Sequence, residues 1–139
     1  MKKLLKLDFL PTTPDCGLLL LRIWLGLSMF LIHGLAKLQN FGGTVAMFKD
    51  KMGIPPVFGA AAVLAESVCS ILLIIGLATR WAAGFLAITM AVAFIKVHHM
   101  VLAQGNPQSG ELAFLYLAGF IAILLAGGGK FSADAKVLR

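Results

Sequence analysis

Arg22 and Glu66 are the two ionisable residues whose placement most needs a reason. Each sits inside a stretch that is otherwise almost free of Asp, Glu, Lys and Arg. An ionisable group within hydrocarbon is expensive unless it is paired or hydrated. Their charges are opposite, so the expectation is a buried ionic pair or a proton relay. Arg22, Gly26, Met29, His33 and Lys37 follow one another at steps of four, three, four and four residues. Those steps hold them on one face of a helix. His33 lies near the outer end of that face. Glu66 falls at a depth between Arg22 and His33, so its carboxylate can accept from both.

Lys96, His98, His99 and Glu111 extend the list. With His33 and Lys37 they form a six-member polar set expected near one membrane face. One reading is an outward-opening polar pocket with His33, Lys37 and Glu66 as catalytic candidates. The other is a ring of interfacial residues satisfied by water and head groups, with Arg22 and Glu66 as structural glue. Neighbouring histidines on a helix point about 100° apart and do not easily share one ion. The His-Glu-x-x-His, Cys-x-x-Cys and Cys-x-x-Cys-His signatures are absent. A composite site of His33, one of the pair, and Glu66 or Glu111 is geometrically conceivable, but the expectation is no metal. Neither a dinucleotide fingerprint nor a Walker loop occurs. No haem, flavin, nicotinamide or metal motif is therefore visible, nor any self-contained redox centre. A redox cofactor would be membrane-borne, such as a quinone, or held by a partner.

These residues need elements to position them, and composition says which. The chain has 139 residues, 60% of them hydrophobic and 13% charged. Its mean hydropathy is +0.94. Soluble domains carry about 25% charged residues. Disorder is excluded by the apolar content. A nucleic-acid module is disfavoured: the net charge of +6 reflects scarce acids rather than a basic patch. Cys16 and Cys69 are too few for a disulfide framework. The class expected is a single-domain, all-α, multi-pass membrane protein in contact with lipid. Small-residue rows such as Ala83, Ala87 and Ala91 suit close helix packing. They leave homo-oligomerisation open.

About 20 apolar residues cross a bilayer. The chain divides into four candidate spans, approximately 16–36, 57–78, 81–97 and 111–126, with an outer loop over 38–56. That loop contains a short interfacial helix near 44–52. Thr79 is the expected cap between the second and third spans. Four spans put both termini on one side. With that side inside, seven basic residues (Lys2, Lys3, Lys6, Arg80, Lys130, Lys136, Arg139) flank the inner ends and four (Lys37, Lys49, Lys51, Lys96) the outer. The bias favours cytoplasmic N- and C-termini around a compact four-helix bundle. The first ten residues either lie along the inner surface or form a frayed leader.

The run Arg22-Ile23-Trp24-Leu25-Gly26, followed by Phe30 to Leu38 with His33-Gly34 and Lys37, resembles the DoxX family of small bacterial inner-membrane proteins. The likeness continues through Phe41-Gly42-Gly43, Phe48, Gly53-Ile54-Pro55, Ala65-Glu66 and Gly76 to Arg80. It implies four transmembrane helices, a cytoplasmic N-terminus and an oxidoreductase association. It also implies that Arg22, His33, Gly34, Lys37 and Glu66 are the family's motif positions. The function expected is a redox-associated subunit that contacts quinone and depends on a partner redox enzyme. The alternative is a non-enzymatic protein that binds or transports a small solute or lipid, or assists complex assembly.

Overall fold

The computed structural model describes residues 13–103 and 105–137. The first ten residues, expected to lie along the inner surface or to form a frayed leader, fall outside the described residues. Among those described, six helices follow in order: α1 Pro14–Gln39, α2 Phe41–Met52, α3 Pro56–Ile75, α4 Thr79–Val97, α5 Glu111–Ala126 and α6 Ala133–Val137.

Each boundary has a local cause. Pro14 opens α1 at the position where a missing N–H does no harm. Gly53 closes α2 in the left-handed conformation, φ 64°. Pro56 then starts α3. Gly76, φ 77°, ends α3 the same way. The connection over 38–56 therefore holds a helix, α2, longer than the 44–52 expected. Phe48 of α2 is buried, and a Cβ at Gly59 of α3 would sit 3.3 Å from its ring.

The count of crossings needs correction. Among the described residues three helices, α1, α3 and α4, are long and apolar enough to cross a membrane, not four. α5 is apolar but has 16 residues. At about 1.5 Å per residue it spans about 24 Å, short of the about 30 Å of a hydrocarbon core. Gly110 precedes its first turn and Gly127, φ 83°, follows its last. Three such helices do not make the expected four-span bundle, and an odd count does not place both termini on the cytoplasmic side.

α5 packs against α4 along its length. Ala82, Ala83, Leu86, Ala87 and Met90 of α4 meet Ala113, Tyr116, Phe120 and Ile123 of α5 in one core with Met29 and Leu73. Ala83 and Ala87 are thus used in packing. The row Ala118, Ala122 and Ala126 on α5 instead faces outward. Leu20, Trp24, Ile32, Phe58, Ile88 and Leu125 are also exposed. Arg22, Glu66, Ser67, Ser70 and Thr79 are buried. Polar side chains kept inside and apolar ones turned outward are what lipid as solvent favours.

Each of the three long helices widens into a π-turn: Met29–Gly34 in α1, Ala65–Cys69 in α3 and Ala93–Val97 in α4. Such turns are rare inside helices and concentrate at functional sites. Those of α1 and α3 pack against each other.

Candidate functional site

The α1–α3 register places the polar side chains. α1 and α3 run antiparallel, and small residues let their backbones approach. Gly26 lies against Ser70 and Ile74, and Gly34 lies against the Glu66 carbonyl and Ser67. Ser70 Oγ donates to that same carbonyl at 2.7 Å, and Ser67 Oγ donates to the Val63 carbonyl at 2.7 Å. Both bonds run from a serine hydroxyl to the carbonyl four residues earlier on α3. The π-turn of α1 also explains a shift of face. A five-residue step from Met29 reaches Gly34, and it is Gly34 that meets α3. His33 is turned off that seam towards α5.

Glu66 pairs with Lys37. Lys37 Nζ donates to Glu66 Oε2 at 2.5 Å. The carboxylate is almost fully buried, whereas the lysine side chain is 28% exposed. Lys37 also sits 5.7 Å from the centre of the Phe48 ring, within cation–π range. His33 lies edge-on to Tyr116 of α5, ring centres 5.9 Å apart. Tyr116 stacks on Phe120 and donates from its hydroxyl to Ser28 Oγ at 2.8 Å. His33 Nε2 is buried without a hydrogen-bond partner among the described residues. An orphaned polar atom in such a place calls for a ligand or a water.

The expected Arg22–Glu66 pair does not form, and the register gives the reason. Arg22 stands level with Gly76, where a Cβ would collide with its guanidinium. Gly76 is ten residues from Glu66, about 15 Å along α3. Glu66 therefore does not bridge Arg22 and His33. The six-member polar set does not assemble either. His33 and Lys37 join Glu66. Lys96, His99 and Glu111 are exposed, and His98 Nδ1 lies 3.1 Å from the Gln108 carbonyl. Glu111 lines a separate surface hollow of about 320 Å³ with Ser109, Leu112 and Leu115.

Arg22 belongs to a second, distant cluster. Its Nη2 donates to the Phe131 carbonyl at 3.1 Å. Nε and Nη1 are buried without partners among the described residues. Beside it, Asp134 of α6 clips the α3–α4 turn. Its carboxylate accepts from the N–H of Ala78 at 2.6 Å and of Thr79 at 2.8 Å. Asp134 N–H in turn donates to the Gly76 carbonyl at 2.9 Å. The cap of α4 is thus Asp134, not Thr79 as the local sequence suggests. The clip also holds Ala78 at φ 48°, a conformation unfavourable for a residue with a Cβ.

Burial alone would raise the Asp134 carboxyl. Bonds from Thr79 and Ala78 and the Arg22 charge outweigh it and hold the group below the ordinary carboxylate range. A depressed folded-state pKa contributes stability above the unfolded value, and that stability is lost as pH falls through the folded one. Wild-type protein in detergent should therefore lose melting temperature on acidification below about pH 4. Asp134→Asn should start lower and vary less across that window. Parallel curves would exclude the clip as the source.

Residues 17–99 match the DoxX family. The chain belongs to the DoxX family. DoxX proteins are small bacterial membrane proteins linked to oxidoreductase systems. The protein is accordingly a multi-pass protein of the bacterial inner membrane. It is 36% identical over 116 residues to an uncharacterized protein of Haemophilus influenzae, covering 80% of this chain and 84% of the relative. It is 31% identical over 125 residues, 90% of each chain, to a Bacillus subtilis protein named "Putative oxidoreductase CatD". No solved structure matches the chain.

The DoxX match contains Arg22, His33, Lys37 and Glu66 but not Tyr116 or Asp134. Tyr116 reaches His33, and Asp134 the distant Arg22 cluster, from beyond the matched segment. Among the described residues no three His, Cys, Asp or Glu side chains are grouped to hold a metal ion. Cys16 and Cys69 are both free.

Proposed function

We propose that this DoxX protein is a membrane-embedded redox accessory subunit that binds a quinone at the His33–Lys37–Glu66 layer. The observation that carries the reading is the unpartnered, buried Nε2 of His33. A quinone offers carbonyl oxygens in a flat apolar ring and needs an apolar slot with a few placed donors. His33 in its Nε2–H tautomer would donate to one carbonyl, against the edge of Tyr116. Quinone reduction consumes two electrons and two protons. The electrons would come from a partner redox enzyme. The Lys37–Glu66 pair lies beside His33 and ends on a partly exposed lysine, which suits a proton route to the surface. The name of the Bacillus relative supports a redox setting and says nothing of quinone.

The test is quantification of quinone extracted from protein purified in mild detergent. Near-stoichiometric quinone is expected in wild type. His33→Leu should retain at least about tenfold less, an energy of about 1.4 kcal/mol, with an unchanged melting temperature. Quinone no higher than in a control membrane protein would sink the proposal. Solute uptake by vesicles, lost in Glu66→Gln without any quinone signal, would instead favour the non-enzymatic reading.

A further inference from the structure

At the opposite end of α4 from its π-turn lies a groove that neither polar cluster uses. It has a volume of about 420 Å³ and is lined by Arg80, Trp81, Gly84, Phe85, Ile88 and Leu124. Volumes of this size are typical of sites for small ligands, about 300–1,000 Å³. The groove follows α4 from residue 80 to residue 88, about 12 Å at the helical rise. Its floor exists because Gly84 has no side chain. A Cβ there would meet only Leu124 Cδ1, at 3.8 Å. Beyond one end stands the Arg80 guanidinium. Its single hydrogen bond among the described residues runs from Nη2 to the Leu125 carbonyl, at 3.3 Å. None of the lining residues is acidic. Trp81, largely exposed, occupies the same end.

We infer that this groove is a binding site for an anionic phospholipid, with an acyl chain against Gly84 and the phosphate on Arg80. Four features select that occupant. The slot is apolar along its length and opens on the surface that α4 presents to lipid. Its cation lies at one end, at the start of the helix, where a head group sits when a chain lies along the span. Arg presents a planar fork of donors suited to phosphate, and several of them remain free after the bond to Leu125. A Trp at that level is the usual companion of the head-group region. A zwitterionic lipid offers the same chain but no net charge to Arg80.

The experiment uses the full chain in nanodiscs of equal phosphatidylglycerol and phosphatidylethanolamine, followed by native mass spectrometry of the released protein. Wild type should carry about one phosphatidylglycerol in preference to phosphatidylethanolamine. Arg80→Gln should remove that preference, and Arg80→Lys should keep part of it. Gly84→Leu fills the slot and should reduce retention of both lipids at least fivefold. Lys136→Gln, a cation outside the groove, should change nothing. Unchanged selectivity in Arg80→Gln, or unchanged retention in Gly84→Leu, would overturn the inference. So would cross-links between Phe85 positions of two copies, which would give the groove to a second chain.

Discussion

Alanine at Gly34 should destabilise the bundle more than any other single methyl addition to α1. Its Cβ would overlap the carbonyl of Glu66 and crowd Ser67. Backbone cannot rotate aside as a side chain can, so α1 and α3 must separate. Overpacking of this kind costs about 3 kcal/mol at the upper end of its usual range. Valine should abolish the folded, monodisperse species. Gly17→Ala is the matched control, because nothing lies within 4 Å of its added carbon. It should be neutral or gain up to about 1 kcal/mol of helix propensity. Melting in detergent, read by size-exclusion recovery after heating, distinguishes these. Equal behaviour of the two alanine variants would refute the close α1–α3 approach.

The second large effect comes from the lysine of the buried pair rather than its acid. Lys37→Met leaves the Glu66 carboxylate buried and alone. Breaking a buried pair from that side costs about 3–5 kcal/mol. Glu66→Gln keeps an acceptor for Lys37, whose side chain is 28% exposed and can turn to solvent. Its cost should be nearer about 1–2 kcal/mol, in the range of one charged hydrogen bond. Lys37→Met combined with Glu66→Leu should recover most of the loss, because no orphaned charge remains. Glu111→Gln, on an exposed side chain, should stay within about 0.5 kcal/mol of wild type. Should Glu66→Gln prove the more damaging single change, Glu66 has a duty beyond the pair.

Much of this was legible in the residues and some was not. Hydropathy and charge spacing identify the apolar segments, and Arg22, His33, Lys37 and Glu66 stand out as polar groups in need of partners. The partners themselves depend on register between helices, which periodicity within one helix does not contain. The expected span ends put Glu66 at a depth between Arg22 and His33, within reach of both. The actual register sets Glu66 opposite Gly34. The signal was present in Gly26 and Gly34 facing Ser70 and Ser67, small residues that seat one helix on another. The π-turns were not readable, since a template of 3.6 residues per turn cannot show a five-residue step. Nor was the Asp134 cap, which lies 55 residues from Thr79. The length of α5 was readable: its hydropathy suits a span, but its 16 residues do not.

The bond from Arg22 to Phe131 joins residues 109 apart in sequence. During synthesis the first helix is made long before the carbonyl that receives its buried guanidinium. At about 5–20 residues per second the interval is about 5–20 s. Through that time the arginine has no partner from the finished fold and must reach for water or phosphate at the bilayer edge. The bundle closes over Arg22 only when the segment around Phe131 and Asp134 arrives. Assembly of this chain thus has a last step, and it is the one that takes a charge out of solvent.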